Sequence, residues 1–117
     1  MYICPMHNKE LLKGTLKTII LQLLAEKGRM YGYEITQTVK GMTEGQIQLS
    51  EGALYPTLHK LEADGLVVTE KEKIGKRVRK YYSLTPSGTK TAAVKVAEFE
   101  EFVRLISLLL HPKTNMQ

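Results

Sequence analysis

The stretch SEGALYPTLHKLEADGLVVTEKEKIGKRVRKYYSL, Ser50 to Leu84, decides the fold. Its first half has the marks of a short helix. Ser50 is a good N-cap, Glu51 lies in the first turn, where the helix dipole favours an acid, and Gly65 supplies the C-terminal stop. Leu54, Leu58 and Leu61 make the core side, and at about 100 degrees per residue Gly52, Pro56, His59 and Ala63 fall opposite them. That outward face is small and mostly uncharged, so it can lie close to base edges. Pro56 removes one backbone donor at a cost of up to roughly 3 kcal/mol in a regular helix, which predicts an irregular start as far as about Tyr55.

The second half holds two strand patterns, about Leu66–Lys73 and Arg77–Leu84, carrying Val67, Val68, Thr69, Val78, Tyr81 and Tyr82. Between Lys71 and Tyr81 stand six basic residues (Lys71, Lys73, Lys76, Arg77, Arg79, Lys80) against one acid, Glu72, around Gly75, which permits a tight turn. A short helix followed by a positive hairpin is how a winged-helix domain grips a DNA duplex, with the hairpin tip on phosphate. Lysines also protect exposed sheet edges, and taken alone the run fits either role. The preceding helices favour the first, because a merely solubilising hairpin has no reason to follow two short helices joined by a tight connection.

Working outward, a first helix is expected over about Lys9–Lys27, with Leu12, Leu16, Ile19 and Leu23 in 4-3-4 spacing and Leu11, Ile20 and Leu24 widening the stripe. Gly28 ends it. So broad a stripe calls for two apolar neighbours. A second helix is expected over Tyr31–Met42, with Ile35, Val39 and Met42 inward and Glu34, Gln37 and Lys40 outward, ending between Gly41 and Gly45. Thr85 caps a last helix with Pro86 at its first position, and the pattern continues to about Leu110, before Pro112. In it Ala92, Val96, Phe99, Val103, Ile106 and Leu110 follow the 4-3-4-3-4 period of a coiled-coil seam, flanked by Phe102, Leu105 and Leu109. Such a helix is roughly 37 Å long. Folded back on its own small domain it leaves much of the seam wet, and a partner chain covers it.

The expected fold class is therefore α+β: a winged helix-turn-helix of three helices and a two-stranded wing over residues 9–84, then a C-terminal dimerisation helix over 85–111. A chain of 117 residues and 13.2 kDa fits one domain and gains buried surface by dimerising. The formal charge of +5 and pI near 9.3 favour anionic partners. The single Cys4 cannot form an internal disulfide, no apolar run reaches the roughly 18 residues of a membrane span, and the opening residues lack the features of a signal peptide. A cytoplasmic protein with no membrane partner is expected. Cys4 and His7 are the only pair near metal-ligand spacing, with no further ligands beside them and with His59 and His111 elsewhere, so neither metal nor cofactor is expected. No Ser/His/Asp set, glycine-rich phosphate loop or acid pair suggests an enzyme.

The segments LLKGTLKTIILQLL, YGYEI (Tyr31–Ile35), SEGALYPTLHKLEADGLV (Ser50–Val67) and YYSLTPSG (Tyr81–Gly88) together resemble the PadR family of bacterial transcriptional regulators, in particular its small members with one C-terminal helix. The resemblance spans Leu11 to Leu110. It implies a dimer that represses transcription at an operator, often of its own gene or of a neighbouring transporter or detoxification gene, with small molecules or stress relieving repression in some members. It also implies that Ser50–Asp64 enters the major groove, supported by the YGYEI helix, and that the Lys71–Lys80 hairpin meets backbone or minor groove. The last helix then pairs with the partner's first helix. Some small relatives sandwich flat aromatic drugs between tryptophans, and this chain has none. Phe99 and Phe102 read first as seam packing.

The candidate DNA contacts are Ser50, Gly52, Tyr55, Pro56, His59 and Lys60 toward the groove, with Lys73, Lys76, Arg77 and Arg79 as phosphate anchors. Ser50 is primarily a cap. Tyr55 suits packing beside the core as well as it suits DNA, although Tyr55, His59 and Lys60 are all expected to point away from the leucine face. The candidate dimer interface is Leu12, Leu16, Ile19, Leu23, Val96, Phe99, Val103, Ile106 and Leu110. The alternative function is a winged-helix adaptor whose hairpin and seam bind another protein, without specific DNA binding.

Overall fold

Apolar side chains from four helices and one face of a small sheet meet in a single core in the computed structural model, which describes residues 9–112. The elements are α1 (Lys9–Lys27), β1 (Met30–Tyr31), α2 (Gly32–Met42), α3 (Glu51–Ala63), β2 (Val67–Ile74), β3 (Arg77–Leu84) and α4 (Pro86–Leu110). Each expected helix and strand is present, with ends that match closely. The signals at those ends act physically: Gly28, at φ 85, closes α1, and the Ser50 hydroxyl accepts the Ala53 N–H at 3.2 Å. At the start of α4 the Thr85 hydroxyl accepts the Gly88 N–H at 2.9 Å.

The sheet differs from expectation. It has three antiparallel strands in the order β1-β3-β2, because Met30 and Tyr31 pair with Tyr82 and Tyr81. Two residues are too few to show the alternation that marks a strand in sequence, and Tyr31 looked like the start of α2. It is instead that helix's N-cap, its N–H held by the Glu34 carboxylate at 3.3 Å. Met42 also departs from expectation and is exposed, because α2 ends there and the chain turns away through Glu44 (φ 52) and Gly45 (φ 79).

Helix α3 is continuous from Glu51 through Pro56, with no irregular first turn. Proline forfeits a single bond there, the one its nitrogen would have made to the Gly52 carbonyl, and both residues lie on the exposed face. Gly52 also offers no side chain against the proline ring.

On α1 the core takes more than a stripe. Leu16, Ile20, Leu21, Leu23 and Leu24 are all buried within the chain. Leu16 and Leu23, expected at a dimer interface, are thus occupied by the chain's own core, and only Leu12 and Ile19 of that set remain partly exposed. The α4 helix lies against α1 of its own chain, with Ala92 buried in the core. Beyond Ala92 its seam stays open: Val96 and Ile106 are partly covered, while Phe99, Val103 and Leu110 are exposed.

Where α4 leaves the sheet, Gly88 is buried against backbone. A Cβ at that position would stand 1.9 Å from the Leu66 carbonyl oxygen, which already accepts the Thr85 N–H at 3.0 Å. Backbone cannot yield as a side chain can. Gly88→Ala is therefore expected to destabilise by about 3 kcal/mol, the upper end of ordinary overpacking. Urea unfolding checks this, and an unchanged midpoint contradicts it.

Candidate nucleic-acid interface

The alternation of β2 and β3 sorts the charges of the hairpin. Pairing Val67 with Leu84, Thr69 with Tyr82, Lys71 with Lys80 and Lys73 with Val78 puts these residues on one face, the face whose base is buried through Val67 and Tyr82 against the helices. The other face carries Glu70, Glu72 and Ile74 opposite Tyr81, Arg79 and Arg77. The sequence TEKEK thus places its acids behind and its lysines in front, on the side where α3 packs. Burial raises the pKa of the Tyr82 phenol above its usual value, which keeps it neutral at the base of this lysine face.

Each face is held in place. In front, Glu62 of α3 accepts a hydrogen bond from the Thr69 hydroxyl at 3.2 Å and pairs with Lys80 at 3.8 Å, tying the base of the wing to α3. Behind, Arg29, just before β1, binds Glu72 and lies 3.6 Å from Glu70. Its guanidinium sits 3.9 Å from the Tyr81 ring centre, Arg79 sits 4.3 Å from that of Tyr31, and the two rings meet edge to face at 5.4 Å. This ladder joins β1 to the hairpin, and Arg29 pairs with both acids, so that Arg77, Lys76 at the turn and the front lysines carry the wing's net positive charge. At the tip Gly75 adopts φ 64, as the first residue of a two-residue turn between Ile74 and Arg77.

The four anchors named from sequence are therefore divided. Lys73 is on the front face and Lys76 in the turn, whereas Arg77 and Arg79 belong to the back face, with Arg79 engaged on Tyr31. Lys71 and Lys80 lie on the front face as well, and the period-two alternation that starts at Val67 is the sequence signal for them. Arg29 and Tyr31 were missed because they act through a strand too short to read.

On α3, Gly52, Pro56, His59 and Lys60 are exposed as expected, and Lys60 pairs with Asp64 at 3.7 Å. Ser50 is exposed and serves as the cap. Tyr55 does not join that face. It is half-buried against the core, with its hydroxyl over Gly32, where an added Cβ would meet it at 2.2 Å. Lying toward the side of α3 that faces α2 and β3, it packs where it was expected to point outward. Tyr55→Ala should cost about 2 kcal/mol, roughly half the penalty for a fully buried ring. A melting temperature unchanged from the parent would return Tyr55 to the groove.

Among the described residues no group of His, Cys, Asp and Glu could hold a metal ion, and no helix is long and apolar enough to cross a membrane. The Cys4 and His7 pair lies outside the described residues.

Three helices, a helix-turn-helix pair and a hairpin wing define the winged-helix class. The sequence model of the transcriptional regulator PadR-like family matches residues 20–94, and the chain belongs to that family, whose members are regulators and not enzymes. It is similar to the transcriptional regulator Rv3488 of Mycobacterium tuberculosis, at 33% identity over 82% of this chain and 86% of that protein. It is likewise similar to a solved transcriptional regulator from Clostridium thermocellum, with 32% identity, a TM-score of 0.78, and coverage of 85% of this chain and 96% of that one. A PadR-family regulator from Eggerthella lenta matches with 29% identity and a TM-score of 0.72 over 86% of this chain and 82% of its own.

Proposed function

We propose that this protein is a homodimeric, sequence-specific DNA-binding repressor. The observation that carries the reading is the joint exposure, on one side of the molecule, of the small outer face of α3 and the lysine face of the wing. Helix α3 fits a major groove through Gly52, Pro56, His59 and Lys60, and Lys71, Lys73 and Lys76 meet the flanking phosphates. The chain-wide charge of +5 points the same way. Residues 9–84 form the DNA-binding part and 85–111 the dimerisation helix in this reading.

The dimer is supported by what α4 leaves uncovered. Phe102 is 56% and Val103 50% exposed, in a groove that they share with Phe99 and Ile106 and that runs beside Leu12 of α1. A second copy placing its own seam there covers both. A small apolar effector would act at the same place, competing for Phe99, Phe102 and Val103.

Gel shifts on the DNA upstream of the protein's own gene test the reading. A discrete complex that resists mixed-sequence competitor is expected, whereas weak retardation indifferent to sequence would favour a protein-binding adaptor. His59→Ala and Lys60→Ala are each expected to cost about 1 to 3 kcal/mol on the operator and far less on mixed DNA. Both side chains are exposed, so their melting temperatures should match the parent's. Equal losses on both DNAs would move sequence reading away from α3.

A further inference from the structure

We propose that Lys13 and Lys17 of α1, which flank the base-reading Lys60, bind the phosphate backbone on the side of the major groove opposite the wing. This rests on the DNA-binding reading above and adds a second contact row to it. An α-helix about 10–12 Å across fills a groove about 12 Å wide, so a sugar-phosphate strand rises along each flank of α3. The wing can serve only one of them.

The flanks of α3 differ in their neighbours. Tyr55 and His59 look toward Val78, Arg79 and Lys80 of β3 across a shallow hollow. Ala53, Pro56 and Thr57 look the other way, toward Leu12, Lys13 and Leu16 of α1. On that second flank a hollow is lined by Lys13, Lys17, Pro56, Thr57, Lys60 and Leu61, three lysines and no carboxylate.

Lys13 and Lys17 stand four residues apart, hence on one face of α1. Neither forms an ion pair with another described residue, and Lys60 pairs with Asp64, which does not line the hollow. Three like charges around one hollow repel one another, and a polyanion laid along it relieves that repulsion while releasing its own counterions. Duplex DNA seated on α3 presents such a polyanion at this place.

The test measures binding to mixed-sequence duplex, and to the duplex this protein enriches from a random library, across a range of salt. For Lys13→Ala with Lys17→Ala, the slope of log K against log salt should flatten by about 1.8, two contacts at roughly 0.9 each, on both DNAs. The ratio of the two affinities should hold. Lys13→Arg with Lys17→Arg should keep the parent slope, and Lys90→Ala with Lys95→Ala, which removes the same formal charge from α4, should also leave it unchanged. An unmoved slope in the α1 alanine pair, or equal flattening in the α4 pair, overturns the proposal. An unmodified protein that binds no duplex refutes the DNA-binding reading itself, whereas normal parent binding with an unmoved slope sinks only the α1 contact.

Discussion

Replacing Val103 by Glu is expected to turn the protein from a dimer into a folded monomer. In the single chain Val103 is half exposed and its neighbours Phe99 and Phe102 face the same groove, so the substitution disturbs nothing in the core around Leu54, Leu58 and Tyr82. In a dimer the same position is dried by the partner. A carboxylate left unpaired there costs several kcal/mol, and a penalty of about 4 kcal/mol weakens association roughly a thousandfold. Sedimentation at micromolar concentration should show the parent as a dimer and the variant as a monomer with unchanged helical circular dichroism. A monomeric parent would mean that the exposed seam has no partner copy to cover it.

The second large effect is expected at the wing. Changing Lys71, Lys73 and Lys76 together to Ala should flatten the slope of log K against log salt by about 2.7, three phosphate contacts at roughly 0.9 each. Changing Arg77 and Arg79 together should do much less to that slope, since both lie on the back face and Arg79 rests on Tyr31. Losing Arg79 should loosen the hairpin instead, because the ring ladder between β1 and β3 depends on it. Equal flattening by the two sets would mean that strand alternation does not decide which charges meet DNA. If neither set moved the slope, the lysines would be edge protection and nothing more.

The contrast between these sets shows how far the chain could be read unaided. Helix ends were legible because single residues with strong local preferences set them: Ser50, Thr85 and Pro86 at starts, Gly28 and Gly65 at stops. The front and back of the wing were legible in principle, since alternation fixes them once one buried residue is known, but Val67 had first to be recognised as buried. Tyr55 was ambiguous because its inward position depends on Gly32, a residue distant in sequence whose missing side chain makes room for the ring. The α1 stripe misled for a related reason. Spacing shows that Leu12, Leu16, Ile19 and Leu23 share a face, yet it cannot divide that face between the chain's own core, which takes Leu16 and Leu23, and a partner. The β1 pairing lay beyond sequence reasoning altogether, being two residues long and specified by its partner Tyr81–Tyr82.

In the proposed dimer two copies of α3, related by a two-fold axis, read DNA sequence. Selection of binding sites from a random duplex library, followed by sequencing, tests it most directly. Enrichment of a pseudo-palindrome whose half-sites lie about one helical turn, or a multiple of it, apart is expected, with loss of that enrichment in the His59→Ala, Lys60→Ala double variant despite a normal melting temperature. Recovery of no common sequence by the unmodified dimer, or of the same palindrome by the double variant, would contradict it.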